Sequence, residues 1–142
     1  NRIALPILSP VGRRRGYVLR SYHGATPKAL NRTDAGESRL SFYIEHKDTS
    51  IVVVEDIPSA VRAARYLNAV SLNGTECGDT DAIEIAQTCR DVIWALDNDA
   101  LSNAVRLLQK HRLLFKTSRV LPLKKDIKDM DEESLDALLR ER

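Results

Sequence analysis

Three carboxylates hold the most direct chemical content of the chain: Glu55, Asp97 and Asp99. Glu55 follows the apolar run Ile51-Val52-Val53-Val54, and the two aspartates follow a second run, Val92-Ile93-Trp94-Ala95-Leu96. Each run is short, β-branched and uninterrupted by polar residues, the pattern of a strand buried on both faces. A helical pattern follows each, so the acids stand at the carboxyl ends of strands, where open α/β sheets build their sites. Neighbouring strands lie about 4.8 Å apart, close enough for acids on two strand ends to reach one ion. Carboxylates gathered in this way repel one another and lose hydration. A divalent cation such as Mg²⁺ or Mn²⁺ offsets that cost, because hard ions take oxygen ligands from a few carboxylates and from substrate phosphates.

Side chains at i and i+2 of a strand face the same way. A strand running through Asp97-Asn98-Asp99 would therefore aim both aspartates at the site and Asn98 away from it. The competing structural reading is that Asp99 caps the helix that follows.

The elements that must position these acids can be read outward from them. From residue 51 strands and helices alternate, which predicts a largely parallel α/β sheet. The expected helices cover 58–67, with Ala60, Val61, Ala64 and Leu67 inward, and 79–88, with Ile83 and Ala86 inward. A third runs from Asp99 to about His111, and a fourth covers about 131–140 around Leu135, Leu138 and Leu139. Strands are expected at 69–72, 91–96 and 118–121. Residues 1–46 read as short strands and turns: Ile3–Leu8, which Pro6 restricts to a sheet edge, then Tyr17–Tyr22 and Leu40–Glu45. Residues 23–38, rich in Gly, Pro, Asn, Asp and Ser, read as loop.

Charge is unevenly distributed. The net charge is +2, yet residues 1–33 hold seven basic side chains (Arg2, Arg13, Arg14, Arg15, Arg20, Lys28 and Arg32) and no acid. A basic arm ahead of an acidic metal-binding region suits a polyanionic partner, with cations on the phosphates and carboxylates on the metal. For Arg13-Arg14-Arg15 alone, a solvated surface turn is an equal alternative. No run of 18 apolar residues and no signal-peptide pattern occurs. The chain of 142 residues begins at Asn1, which reads as an excerpt of a longer polypeptide. Cys77 and Cys89 lack a partner pair and the histidines are scattered, which argues against structural zinc and for two thiols in a reducing compartment. Trp94 reads as core, and Tyr17, Tyr22 and Tyr43 serve strand packing or base stacking equally well.

Taken together, Val54-Glu55, Asn73-Gly74-Thr75 and Leu96-Asp97-Asn98-Asp99-Ala100 resemble the Toprim domain shared by primases, topoisomerases, OLD-type nucleases and recombination mediators. The resemblance covers about residues 50–140. Gly16-Tyr17-Val18-Leu19-Arg20 and Pro27-Lys28-Ala29-Leu30-Asn31-Arg32-Thr33 are similar to the segment ahead of Toprim in DnaG-type primases. Leu121-Pro122-Leu123-Lys124-Lys125-Asp126-Ile127-Lys128-Asp129 looks like the acidic motif after the last Toprim strand. One departure is Asp56, where cellular primases usually have glycine. It points to a bacteriophage type, and the aspartate also suits a helix start with Pro58 in the first turn.

The resemblance implies a fold and a function. The fold is a Rossmann-like, mostly parallel Toprim sheet flanked by helices over 48–142, preceded by a small β-rich tail of the basic polymerase subdomain over 1–47. The function is that of a catalytic-core fragment of a DNA primase, a nucleotidyltransferase that makes RNA primers. Glu55, Asp97 and Asp99 would be catalytic and, with Asp126, would hold two or more Mg²⁺ or Mn²⁺ ions; Asp129 is the neighbouring choice, and a charged surface loop is the alternative for both. Arg20, Lys28 and Asn31, with Arg13, Arg14 and Arg15, would meet template and nucleotide. The implied partners are single-stranded DNA, nucleoside triphosphates and a replicative helicase, in bacterial cytoplasm at the replication fork and away from any membrane. The fragment alone is expected to be inactive, because half of the substrate cradle lies outside it. The alternatives are a Toprim nuclease or topoisomerase fragment, the latter needing a catalytic tyrosine from elsewhere, and a non-catalytic nucleic-acid-binding adaptor.

Overall fold

The computed structural model describes residues 1–24 and 26–140. Its larger sheet grows from the two apolar runs. β5 (Ser50–Val54) and β7 (Asp91–Trp94) pair in parallel, with Val53 opposite Trp94. β6 (Asn68–Ser71) lies on the other side of β5, also parallel, and β8 (Thr117–Val120) on the other side of β7. β4 (Ser41–Tyr43) closes the β6 edge in antiparallel fashion, giving the order β4-β6-β5-β7-β8.

Strand alternation sorts the apolar residues into two cores. Ile51, Val53, Val70, Val92 and Trp94 face one layer, formed by α2 (Asp79–Thr88) and α3 (Leu101–His111) through Ala82, Ile85, Ala104 and Leu107. Val52, Val54, Ala69 and Ile93 face the other, formed by α1 (Ile57–Ala63) and α4 (Glu132–Arg140) through Ala60, Ala63, Leu135 and Leu139. Trp94 is fully buried, edge-on to Phe115, and its indole N–H donates to Ser118 Oγ at 3.1 Å, so it is a core residue. Both cysteines are reduced and buried, and burial pushes their thiols up to about 12 for Cys77 and about 11 for Cys89. No helix among the described residues is long and apolar enough to cross a membrane.

Ahead of this sheet stands a separate antiparallel one, β1 (Arg2–Leu8), β2 (Arg14–Ser21) and β3 (Ala29–Thr33). Pro6 sits in β1, an edge strand, as its missing amide requires. Gly16, with φ +152°, lies in the middle strand, where a Cβ would come within 2.2 Å of the Arg32 carbonyl oxygen. Only glycine permits β3 to approach so closely. The small sheet packs on the larger through Ile7, Val18 and Ile57, with Leu5 and Tyr43 beside them.

Several expectations change. Ala29–Thr33 is a strand within the region that reads as loop; it is polar and mostly exposed, so its pairing with β2, not an apolar pattern, defines it. The strand Ser41–Tyr43 belongs to the larger sheet, so the two sheets divide ahead of residue 47. Helix α1 begins at Ile57 and buries Ile57, Ala60 and Ala63, which rotates Val61 outward to 49% exposure. In α2 the buried face is Ala82 and Ile85, and Ile83 is 44% exposed.

Candidate active site

The carboxyl ends of β5 and β7 carry the expected acids, and their backbone explains how. The β5–β7 ladder makes its last bond from Ala95 N–H to Val53 O at 2.9 Å. Two residues on, the Asp97 N–H donates instead to Glu55 Oε2, at 2.7 Å. The chain then turns, with Ala100 N–H donating to Asp97 O at 2.8 Å. Asp97 and Asp99 are therefore not strand neighbours on one face: Asp97 is half-buried at the strand end and Asp99 is exposed in the turn. Nor does Asp99 cap α3, whose N-cap residue is Ala100 with no side-chain cap bond. The Asn98 N–H donates to Asp126 Oδ1 at 3.0 Å, which draws the segment after β8 against this turn. Asp129 is exposed.

Close packing of carboxylates shifts their affinities for protons. Burial, then the charges of Glu55 and Asp126, push Asp97 up to about 6. Glu55 is raised as well, by burial first; the Asp97 amide works against the rise, and Asp99, Asp126 and Asp56 add to it. Among the described residues, no group of three or more His, Cys, Asp or Glu side chains is set up to hold a metal ion. Glu55, Asp97, Asp99 and Asp126 are thus collected at one end of the sheet without a closed ligand set. Their chemistry nevertheless fits a hard cation, since the donors are carboxylate oxygens whose mutual repulsion already favours added positive charge.

Asp56 proves to be a junction. Its Oδ1 caps α1 by accepting the Ser59 N–H at 2.9 Å, with Pro58 in the first turn. Its Oδ2 accepts from Lys128 Nζ at 2.7 Å and lies 3.8 Å from an Arg20 guanidinium nitrogen. Burial pushes Asp56 up, but the Lys128 and Ser59 hydrogen bonds outweigh it and hold the carboxyl below its ordinary range.

A cleft of about 220 Å³ separates the two sheets at this end, lined by Arg20 and Asn31 on one side and by Glu55, Asp56, Asn73 and Gly74 on the other. Arg20 comes from β2 and Asn31 from β3. Asn31 Nδ2 donates to Asn73 O at 2.8 Å. Asn73 adopts φ +50°, a left-handed conformation that asparagine tolerates, and exchanges hydrogen bonds with Ser71 Oγ. Gly74 N–H donates to Glu55 O at 3.2 Å, and Thr75 O accepts from Asn103 Nδ2 at 2.8 Å. The Asn-Gly-Thr turn is thus fixed beside the acids by both neighbouring elements. Asn73 and Lys128 carry contacts that the sequence reading did not assign; asparagine ahead of glycine was the available signal for the first, and nothing local marked the second.

Lys28 is exposed just ahead of β3. The basic turn is elsewhere: Arg14 and Arg20 lie at opposite ends of β2, about 20 Å apart at strand rise. Arg13 pairs with Glu37 at 2.8 Å, and Arg14 lies over the Tyr17 ring with Asp34 at 3.8 Å. Arg15 corrects the expectation of three surface cations. It is 6% exposed, grips both carboxylate oxygens of Glu84 on α2, and donates to Leu40 O at 3.2 Å. It locks the small sheet onto α2.

No family model and no curated protein matches the chain. Solved structures do match. The zinc-binding and RNA polymerase domains of the Aquifex aeolicus primase superpose with a TM-score of 0.78 at 21% identity, over 99% of this chain and 40% of that one. A DnaG primase catalytic domain bound to single-stranded DNA gives 0.75 at 23% identity, over 99% and 51%. A DNA primase domain from Pseudomonas aeruginosa gives 0.75 at 20%, also over 99% and 51%. The chain spans about half or less of the length of each. Across both of its sheets, the chain has the fold of a part of the DnaG primase catalytic core.

Proposed function

We propose that this chain is a catalytic-core fragment of a DNA primase of DnaG type: a Toprim metal-binding domain with the tail of the basic polymerase subdomain, from a bacteriophage. The observation that carries this reading is the cleft that Glu55 and Asp56 share with Arg20 and Asn31, with the Asp97 amide bound to Glu55 and the Asn98 amide to Asp126 beside it. The chain-long likeness to primase cores supports it. The primases described above give the nuclease and topoisomerase alternatives no corresponding support.

The reaction would be attack of a 3′-hydroxyl on the α-phosphate of a nucleoside triphosphate, with release of pyrophosphate. Glu55, Asp97, Asp99 and Asp126 would hold Mg²⁺ or Mn²⁺, whose charge would offset that developing on the phosphates. The chain's own residues supply position. Glu55 fixes the Asp97 turn through its backbone amide, and Asp126 fixes Asn98. Arg20, steadied by Asp56, lines the cleft beside Glu55 and is suited to a phosphate oxygen. Asn31 spends its amide on Asn73 and so shapes the cleft wall. Lys28 offers a point charge at the rim for template. Single-stranded DNA, nucleoside triphosphates and a replicative helicase are the partners of this reading, at a replication fork in the cytoplasm. Catalysis by positioning needs template, two nucleotides and metal held together, so the fragment alone should not prime.

The test is primer synthesis by the full-length parent carrying Glu55→Gln or Asp97→Asn. Both changes keep side-chain size and remove charge. The expected loss is about a hundredfold or more, since phosphate-charge stabilisation is worth several kcal/mol. Near-normal primer yield from the folded variants would remove these residues from the catalytic set.

A further inference from the structure

We infer that Lys128 is a built-in cation of the acidic site, occupying the Asp56–Asp126 end of the carboxylate cluster so that the site takes one divalent ion. This rests on the metal-binding reading above and narrows it: the Asp126 carboxylate, named there among the ligands, meets the ammonium in place of a second ion. Lys128 Nζ is 2.7 Å from Asp56 Oδ2 and 3.8 Å from Asp126 Oδ2. All three side chains are mostly buried, at 18%, 17% and 20% exposure. An ammonium so placed bridges two carboxylates that would otherwise present oxygens to a metal.

Its seat is built, not incidental. Lys128 lies in a single 3₁₀ turn, Ile127–Asp129, whose Ile127 side chain is buried in the α1–α4 core. Arg62 of α1 donates to the Ile127 and Lys128 carbonyl oxygens, at 3.2 and 3.0 Å, and pairs with Glu132 at 3.0 Å. The turn is thus clamped from below while its lysine points to Asp56, which is itself held by the start of α1. The neighbouring Lys124 and Lys125 are exposed.

Charge balance gives the consequence. Five carboxylates, Glu55, Asp56, Asp97, Asp99 and Asp126, act on one another here. Among the described residues, Arg20 and Lys128 are the cations paired into the group, leaving three negative charges uncompensated. One divalent ion on the Glu55–Asp97 side reduces that to one. A second would overshoot to net positive, and its place beside Asp126 is taken by the ammonium. Without Lys128 the deficit is four charges, which two divalent ions match.

The test is Mn²⁺ titration of this 142-residue chain by calorimetry and electron paramagnetic resonance, with no nucleotide or DNA present. The unaltered chain should bind one Mn²⁺. Lys128→Met should take up a second ion or bind the first at least tenfold more tightly, and Lys128→Arg should keep a stoichiometry of one. Equal binding by the unaltered chain and Lys128→Met would overturn the inference and leave the metal site standing. No Mn²⁺ on either would overturn the metal site itself and the inference with it. Should Lys128→Met fail to fold, the unaltered chain decides alone: one ion supports the inference and two ions of similar affinity refute it.

Discussion

Replacing Asp97 by asparagine should separate stability from function, making the metal-free fold more stable while removing the proposed chemistry. Asp97 is pushed up to about 6, against an ordinary aspartate value near 3.8, by burial and by Glu55 and Asp126. The folded chain therefore binds this proton more tightly than the unfolded chain does. By linkage, stability is full below about pH 4 and falls as pH rises through about 6, after which this group adds no further change. Asparagine cannot ionise, so its advantage should be absent near pH 4 and complete above pH 7. The group is only half-buried, so solvent screening reduces the gain well below what the shift alone would give, to about 1 kcal/mol. In a domain of this size that corresponds to a rise in Tm of about 2–4 °C. The assay is thermal unfolding of both proteins in chelator at pH 4 and pH 8. Adding Mn²⁺ should then stabilise the unaltered chain and not the variant, closing or reversing the gap; an ion at 100 times its Kd adds about 2.7 kcal/mol. A variant that melts lower than the parent at both pH values would show that Asp97 is a structural hydrogen-bonding group, and the repulsion reasoning would be wrong.

Gly16→Ala should destabilise the fold by about 2–4 kcal/mol, because its Cβ meets the Arg32 backbone oxygen and neither strand can yield cheaply; a chemical denaturation midpoint unchanged from the parent would contradict this. Arg15→Ala should cost about 2–4 kcal/mol by stranding Glu84 beneath the small sheet, while leaving affinity for single-stranded DNA unaltered in a fluorescence anisotropy titration. Single-stranded DNA binding should weaken with salt, with a slope of about −0.7 for each phosphate met by Arg13, Arg14, Arg20 or Lys28. Lys28→Ala should flatten that slope by about one such increment, and salt-insensitive binding would remove these cations from the interface.

The sequence by itself determined the centre of the fold and the location of its chemistry. Ile51–Val54 and Val92–Leu96 are continuous apolar segments, and a chain can bury such a segment on both faces only in the middle of a layered sheet. That pattern alone sets Glu55 and Asp97 at neighbouring strand ends. Asp56 with Pro58 likewise announced a helix start, because capping is a local interaction. What the tertiary structure decided are the features that depend on partners distant in sequence. β3 is a strand because Gly16 lets it dock on β2, and its own polar residues say nothing of that. Arg13, Arg14 and Arg15 read alike, yet only Arg15 is drawn inside, by Glu84, 69 residues away. The Asp97-x-Asp99 alternation ended because the ladder ran out at Ala95 and a carboxylate took over the next amide. Lys128 meets Asp56 across 72 residues. A periodic pattern reports which face a residue takes, whereas the sign and distance of the charge opposite it are set only when the layers come together.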